Sequence, residues 1–236
     1  MKREIIYGSR PVIEALESGR RRVFEVFDAV GDREVSKAAA SRGITPKRVS
    51  RQRVDELARG GVHQGVVARV EPYPYSGLGE ILASPDTLVL VLDGVTDPRN
   101  LGAVLRAAEG AGASGVVIPR DRAAGVTAAA VKASAGASEH VRVARETNLK
   151  RAIEEMKEAG LWVYAAEGNG AAYPQLDLTG PVGLVFGSEG RGVRRLVREA
   201  CDGTVAIPML GNVGSLNVSV AAAVLLYEVR RQRGWP

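Results

Sequence analysis

The sequence predicts an α/β protein of two units: a small N-terminal α/β unit and a larger one built on a parallel sheet. Three observations carry this reading. Short extended runs alternate with helical runs along the whole 236 residues. Several C-terminal runs, such as TLVLVL (Thr87–Leu92) and VGLVF (Val182–Phe186), are apolar on both parities, as strands buried on both faces of a parallel sheet must be. Between the two patterns lies EPYPYSGLGEILASPD (Glu71–Asp86), whose three prolines, two tyrosines and two glycines read as an interdomain connection. The expected boundaries are 1–75, a linker over 76–86, and 87–236.

In the N-terminal unit, REIIYG is extended and SRPVIEALES helical, with Ser9 read as the N-cap and Pro11 close to the first turn. VFEVFDA, PKRVS and QGVVARV then read as strands, and DREVSKAAASR and RQRVDELAR as helices. Gly19, Gly31, Gly43 and the Gly60-Gly61 pair punctuate them. In the C-terminal unit the expected strands are Thr87–Leu92, Gly115–Ile118, Val141–Val143, Leu161–Ala165, Val182–Phe186 and Thr204–Ile207. The expected helices are Leu101–Ala111, Thr127–Ser134, Leu149–Ala159, Val193–Ala200 and Leu216–Arg231. The last helix is apolar at first and ends in Arg230, Arg231 and Arg233, cations that complement its negative end. Its apolar AAAVLLY run also suits a subunit contact.

Composition excludes several classes. There is no run of 18 apolar residues, so no membrane span is expected. The start MKREIIYGSR lacks the apolar stretch of a signal peptide. The single cysteine, Cys201, allows no internal disulfide and reads as a buried filler, and His63 and His140 alone make no zinc cluster. A cytoplasmic, metal-free protein is the expectation. The charge is uneven: residues 1–75 hold 15 Lys/Arg against 10 Asp/Glu, and the remainder holds 17 of each. The whole excess of +5 therefore lies in the first third, which fits either a polyanion-binding surface or a solvated face.

Three segments carry candidate chemistry: LDGVTDPRNLGAVLRAAE (Leu92–Glu109), LVFGSEGRGV (Leu184–Val193) and IPMLGNVGSLNVSVAAAVLLYE (Ile207–Glu228). Each passes from a strand through a glycine-bearing loop toward a helix, where open α/β sheets bind their ligands. Asn100 reads either as a helix N-cap or as a functional amide. Arg106 stands among Ala103, Ala107, Ala108, Gly110 and Ala111 on a helix read as largely buried, and there it needs an anionic partner or a functional reason. Glu189, inside a run of three alternating glycines, is either a ribose- or amide-orienting acceptor or an ordinary charged turn residue. Ser215 reads as the N-cap of the final helix, leaving Asn217 in its first turn, where asparagine is a poor helix former. That misfit points to a site role, and an asparagine bonded to backbone is the alternative. His63 reads as a turn residue or a base contact. No dinucleotide or phosphate-loop fingerprint occurs, Ser138-Glu139-His140 has no triad order, and there is no nucleophile elbow.

At these residues the chain resembles the SpoU branch of the SPOUT RNA 2′-O-ribose methyltransferases. The family's N-x-G-A-x-x-R motif corresponds to Asn100–Arg106, its second motif to FGSEGRG and its third to IPM…SLNVSVAAAVLLYE. Three ordered motifs make the resemblance specific, and it covers nearly the whole chain. The departures are Ala107 where threonine is frequent, and Leu210 and Gly214 in place of commoner small residues. The N-terminal IYGSRPVIEAL and VHQGVVA segments resemble the RNA-binding domain of the longer members, those that methylate a guanosine in 23S ribosomal RNA.

The resemblance implies a SPOUT-type parallel sheet with a trefoil knot, a ribosomal-protein L30e-like N-terminal domain, S-adenosylmethionine as donor, RNA as substrate and a homodimer. It maps donor binding onto Gly187, Ile207, Leu216, Met209 and Glu189, and catalysis onto Arg106, Asn100, Glu189, Ser215 and Asn217. Arg106 is the family's proposed activator. Because guanidinium resists deprotonation, holding a phosphate or stabilising the developing alkoxide is an alternative to its acting as a base. Methyltransferases of the same family acting on tRNA or other ribosomal RNA sites, and a non-catalytic RNA-binding or ribosome-assembly factor, are the competing readings.

Overall fold

The computed structural model describes residues 3–188 and 190–235. In the N-terminal unit, β1 (Glu4–Tyr7), α1 (Ser9–Ser18), β2 (Val23–Asp28), α2 (Arg33–Ala40), β3 (Lys47–Arg48), α3 (Arg51–Ala58) and β4 (Val66–Val70) follow in order. The sheet runs β1-β4-β2-β3, with β4 antiparallel to both neighbours and β3 parallel to β2. Strand alternation sorts its side chains between two faces. Val66, Ala68 and Val70 share a core with α1 and α2, whereas Val67 and Phe27 pack against Val54 and Ala58 of α3. These elements fall where the sequence predicts them, with ends that differ by a residue or two. One cap differs: Gly8, not Ser9, is the N-cap of α1, and its φ of 98° explains why glycine stands there.

The C-terminal unit begins with α4 (Leu78–Leu82), which the sequence reading takes as linker. β5 (Leu88–Asp93), α5 (Pro98–Gly110), β6 (Gly115–Pro119), α6 (Ala128–Ala133), β7 (Val143–Glu146) and α7 (Leu149–Glu158) follow. After them come β8 (Trp162–Ala172), β9 (Val182–Gly187), α8 (Arg195–Arg198), β10 (Gly203–Ala206) and α9 (Val218–Arg233). The six strands pair in parallel in the order β10-β8-β9-β5-β6-β7. The two-sided burial read from β5 is observed. Leu88, Leu90 and Leu92 pack with α5 and α9 on one face, and Val89 and Val91 with α4 and α7 on the other. From β5 the chain moves outward to β6 and β7, then returns to place β8, β9 and β10 on the opposite side. The switch in direction lies between β5 and β9.

The two units share one hydrophobic core. At their seam Arg21 and Glu139, with side chains 1% and 0% exposed, form a two-pronged ion pair. Tyr73, in the proline-rich stretch, is buried and donates its hydroxyl to the carbonyl oxygens of Ser138 and Val141. Arg20 crosses the same seam to Ser76 Oγ at 3.1 Å and to the Tyr73 hydroxyl at 3.3 Å. The expected linker is thus a packed strap. Prolines and glycines there shape a fixed path over the surface of both units.

Candidate active site

A cavity of about 540 Å³ opens at the carboxyl ends of β8, β9 and β10 beside the N-terminus of α9. Its wall includes Phe186, Gly187, Ser188, Gly190 and Gly192 from the loop after β9. Ile207, Met209, Ser215 and Leu216 come from the segment that leads into α9, and Val218 and Ala221 from the helix itself. The structure therefore brings together Gly187, Ile207, Met209, Ser215 and Leu216, residues named from separate parts of the sequence. A volume of several hundred Å³ with mixed apolar and backbone lining is typical of small-molecule sites.

The loop after β9 is fixed by its own chemistry. Ser188 and Gly192 form an isolated bridge, with Gly192 N donating to Ser188 O at 3.0 Å. A Cβ on Gly187 would lie 1.9 Å from the Gly192 carbonyl carbon, so the loop closes only over a glycine. Gly190 and Gly192 have φ of 79° and 66°, in the left-handed region. Asp93, buried at the end of β5, accepts from Arg194 N at 2.8 Å and Arg194 Nε at 2.7 Å, which ties the far end of the loop to the neighbouring strand. Sequence reading passed over Asp93. An aspartate closing an otherwise apolar strand was its signal. Glu189 lies outside the described residues.

Asn100 and Asn217 meet across the site: Asn217 Nδ2 donates to Asn100 Oδ1 at 3.1 Å. Their local roles are the reverse of those read from sequence. Asp97 caps α5 by accepting from Arg99 N, with Pro98 in the first turn, so Asn100 stands inside the helix. Asn217, rather than Ser215, caps α9: its Oδ1 accepts from Ser219 N at 2.9 Å and Ser219 Oγ at 2.6 Å. The supposed misfit of Asn217 in a first helical turn is thus an N-cap. What marks it as more than a cap is that its amide nitrogen reaches a second asparagine 117 residues away.

Arg106 departs from its expected setting. α5 buries Leu101, Gly102, Val104, Leu105 and Ala108, while Arg106 is exposed and does not line the cavity. Of the small neighbours that suggested burial, Ala108 and Ala111 are buried in the core, and it is Gly102 that brings α6 close. A Cβ on Gly102 would lie 2.5 Å from Ala130 O. Missed by sequence reading is the middle of β8, where Ala166, Glu167, Gly168 and Asn169 line the cavity. That strand was expected to stop at Ala165, and it continues to Ala172. His63 acts as the turn residue: its Nδ1 accepts from Gly65 N at 2.9 Å and its Nε2 lies 2.7 Å from Asp55 Oδ1. Cys201 is half-buried, and its surroundings push the thiol up to about 12 through burial first and the Asp202 carboxylate second.

The profile described as the SpoU rRNA Methylase family matches residues 87–227, and that for RNA 2′-O ribose methyltransferase substrate binding matches residues 5–76. Over 98% of its length the chain is 47% identical to the 23S rRNA (guanosine-2′-O-)-methyltransferase RlmB of Photorhabdus laumondii, covering 98% of that protein. It is 44% identical to RlmB of Escherichia coli, covering 98% of this chain and 99% of that one. It is also 42% identical to the putative TrmH family tRNA/rRNA methyltransferase YacO of Bacillus subtilis, over 98% of this chain and 96% of that one. The crystal structure of the SpoU methyltransferase AviRb from Streptomyces viridochromogenes in complex with AdoMet superposes with a TM-score of 0.84 at 27% identity, covering 97% of this chain and 89% of that one. The AdoMet-bound rRNA methyltransferase from Sinorhizobium meliloti gives 0.82 at 28% identity, covering 97% and 87%.

Proposed function

Because the chain belongs to the SpoU rRNA methylase family, we propose that it transfers the methyl group of S-adenosylmethionine to the 2′-oxygen of a guanosine in 23S ribosomal RNA. The observation that carries this reading is the 47% identity, end to end, to a protein of that activity. The cavity at the strand ends is consistent with it. The donor, when bound, supplies an electrophilic methyl group on a cationic sulfur. Gly187, Ile207, Met209 and Leu216 are assigned to hold it, the glycine-shaped loop offering backbone groups and the others apolar contact. Glu189 is assigned to both donor binding and catalysis from its place in the GSEGRG motif.

A ribose hydroxyl is a weak acid, so its attack requires a base or a group that stabilises the forming alkoxide. Arg106 is assigned this second role. Guanidinium donates and does not accept hydrogen bonds, so Arg106 holds the alkoxide or its neighbouring phosphate while water or phosphate takes the proton. Its exposure, away from the cavity wall, suits an approach from the RNA side. Asn100, Asn217 and Ser215 are assigned to orient the reacting groups through the amide pair and the entry to α9.

The same reading extends to architecture. The C-terminal unit, 87–236, is a trefoil-knotted SPOUT methyltransferase domain, and residues 1–75 form an L30e-like RNA-binding domain joined by 76–86. The likeness to the SpoU methyltransferase AviRb over 97% of the chain supports the methyltransferase fold of the C-terminal unit. The protein works as a homodimer. Val220, Tyr227 and Trp235, on or just beyond α9, and Leu210 and Val213 before it leave apolar surface exposed in the single chain. Its place of action is the cytoplasm, with the ribosomal RNA it modifies. Titration calorimetry with S-adenosylmethionine tests the site: one saturable site per chain, lost in Gly187→Val, is expected, and a wild-type protein that binds no donor contradicts the assignment.

A further inference from the structure

A second set of functional groups lies at the carboxyl ends of β6 and β7, outside the donor cavity. A cleft of about 470 Å³ opens there, lined by Tyr75, Ser76, Gly77, Arg120, Arg145 and Glu146. Arg145 is held in it: its guanidinium carbon sits 5.0 Å from the Tyr75 ring centroid, and one terminal nitrogen donates to Arg120 O at 2.6 Å. Tyr75 is itself anchored, its hydroxyl accepting from Val126 N at 2.9 Å. The Nε of Arg145 is buried with no partner among the described residues. Its guanidinium therefore has hydrogen-bonding capacity beyond its bond to Arg120 O.

The loop that follows β6 supplies an independent observation. Arg122 has a φ of 56°, in the left-handed region that a side chain such as arginine seldom adopts. It is exposed, and its side chain makes no hydrogen bond or ion pair among the described residues. The conformation is held from behind by Ala124 N, which donates to Val95 O at 2.8 Å and joins this loop to the one that leads into Asn100. Strain maintained by neighbouring structure, beside a segment assigned to catalysis, marks a residue positioned for use.

We propose that Arg120, Arg122 and Arg145 form a lip that binds the phosphodiester backbone of the substrate RNA, with Tyr75 holding Arg145 in register. Guanidinium groups match phosphate oxygens in a two-pronged geometry. Asp121 and Glu146 lie in the same segments, so the lip takes a few phosphates at defined places instead of presenting a broad positive field. The proposal rests on the RNA methyltransferase reading.

Binding of a 23S ribosomal RNA fragment by the full-length protein, measured over a series of salt concentrations, tests it. The variants are R120A/R122A and R120K/R122K; both side chains point away from the core, so neither pair disturbs it. For the alanine pair the slope of log affinity against log salt becomes shallower by about 0.7 to 0.9 for each phosphate that is no longer neutralised. KM for RNA rises, while kcat at saturating RNA and donor affinity stay at the wild-type values. The lysine pair, which keeps both charges, recovers most of the slope. A wild-type slope and KM in the alanine pair, or a lysine pair that recovers nothing, overturns the lip while leaving the enzyme assignment intact. A wild-type protein that neither binds nor methylates RNA overturns both.

Discussion

At residue scale, two positions test the proposed donor and RNA sides of the site separately. Gly187 shapes the loop over the cavity, because a Cβ there overlaps the Gly192 backbone. Gly187→Ala is expected to destabilise the protein by about 1–3 kcal/mol, as an overpacked site does, and to weaken donor binding at least ten-fold; thermal melts and calorimetry read the two effects. Arg106 should behave in the opposite way. Arg106→Ala removes an exposed side chain that supports no packing, so stability and donor affinity stay within a few-fold of wild type. Methyl transfer falls by about 100-fold or more, the usual cost of losing a group that stabilises developing charge. Turnover close to wild type in that variant would remove Arg106 from the mechanism.

The same two residues show what was legible in the sequence. That Gly187 belongs to a loop facing a ligand site was legible, because Gly187, Gly190 and Gly192 allow left-handed turns and close backbone approach. It does line the cavity; its donor role comes from the resemblance. The setting of Arg106 was not legible: small residues around it suggested burial, whereas the helix buries Leu101, Gly102, Val104, Leu105 and Ala108 and leaves Arg106 exposed. The roles of Ser215 and Asn217 were exchanged because each can cap a helix, and only the backbone path before α9 decides which one does.

At the scale of elements, the apolar runs announced β5 and β9, because a strand covered on both faces has no polar parity to keep. β8 was cut short, since its second half carries Glu167, Gly168, Asn169 and Gly170, residues that usually end a strand. Here they bulge out between the two stretches that pair with β10, and Glu167, Gly168 and Asn169 line the cavity. α9 holds a charge cluster that makes its stability depend on pH. Glu228, 8% exposed, accepts from Arg231 Nε and from its terminal nitrogen, each at 2.8 Å, and from Gln232. The Arg231 hydrogen bonds hold its carboxyl below the usual carboxylate range. A lowered folded-state value means that the contribution is complete above the unfolded carboxyl's value, near about pH 4.3, and is lost as pH falls through the folded one. Glu228→Gln should therefore lose less Tm than wild type between about pH 4.5 and pH 3. Parallel Tm curves for the two proteins over that range would contradict this.

At the scale of the whole molecule, the prolines, tyrosines and glycines between the two units read as an interdomain connection, and the structure has a packed seam there. Arg21 and Glu139 pair with almost no exposure, and Tyr73 bonds across to the other unit. Local sequence gives no sign of this, because the partners stand 118 residues apart. A buried pair is costly to break on one side, since the remaining charge is left in a poorly solvating interior. Arg21→Met alone should cost about 3–5 kcal/mol, whereas Arg21→Met with Glu139→Leu should recover much of that, read by denaturant unfolding. Equal stability of the single variant and wild type would show that the seam opens in solution. The seam as it stands packs the N-terminal unit directly against the C-terminal one.

Donor pocket, amide pair and arginine lip all presuppose methyl transfer to a ribose. The direct measurement is incubation of the purified protein with S-adenosylmethionine labelled in the methyl group and total RNA from a strain deficient in ribosomal RNA methylation, followed by digestion and nucleoside identification. Label in 2′-O-methylguanosine from 23S ribosomal RNA is the predicted result. Label confined to tRNA, label on a base instead of a ribose, or no transfer to any RNA would contradict it.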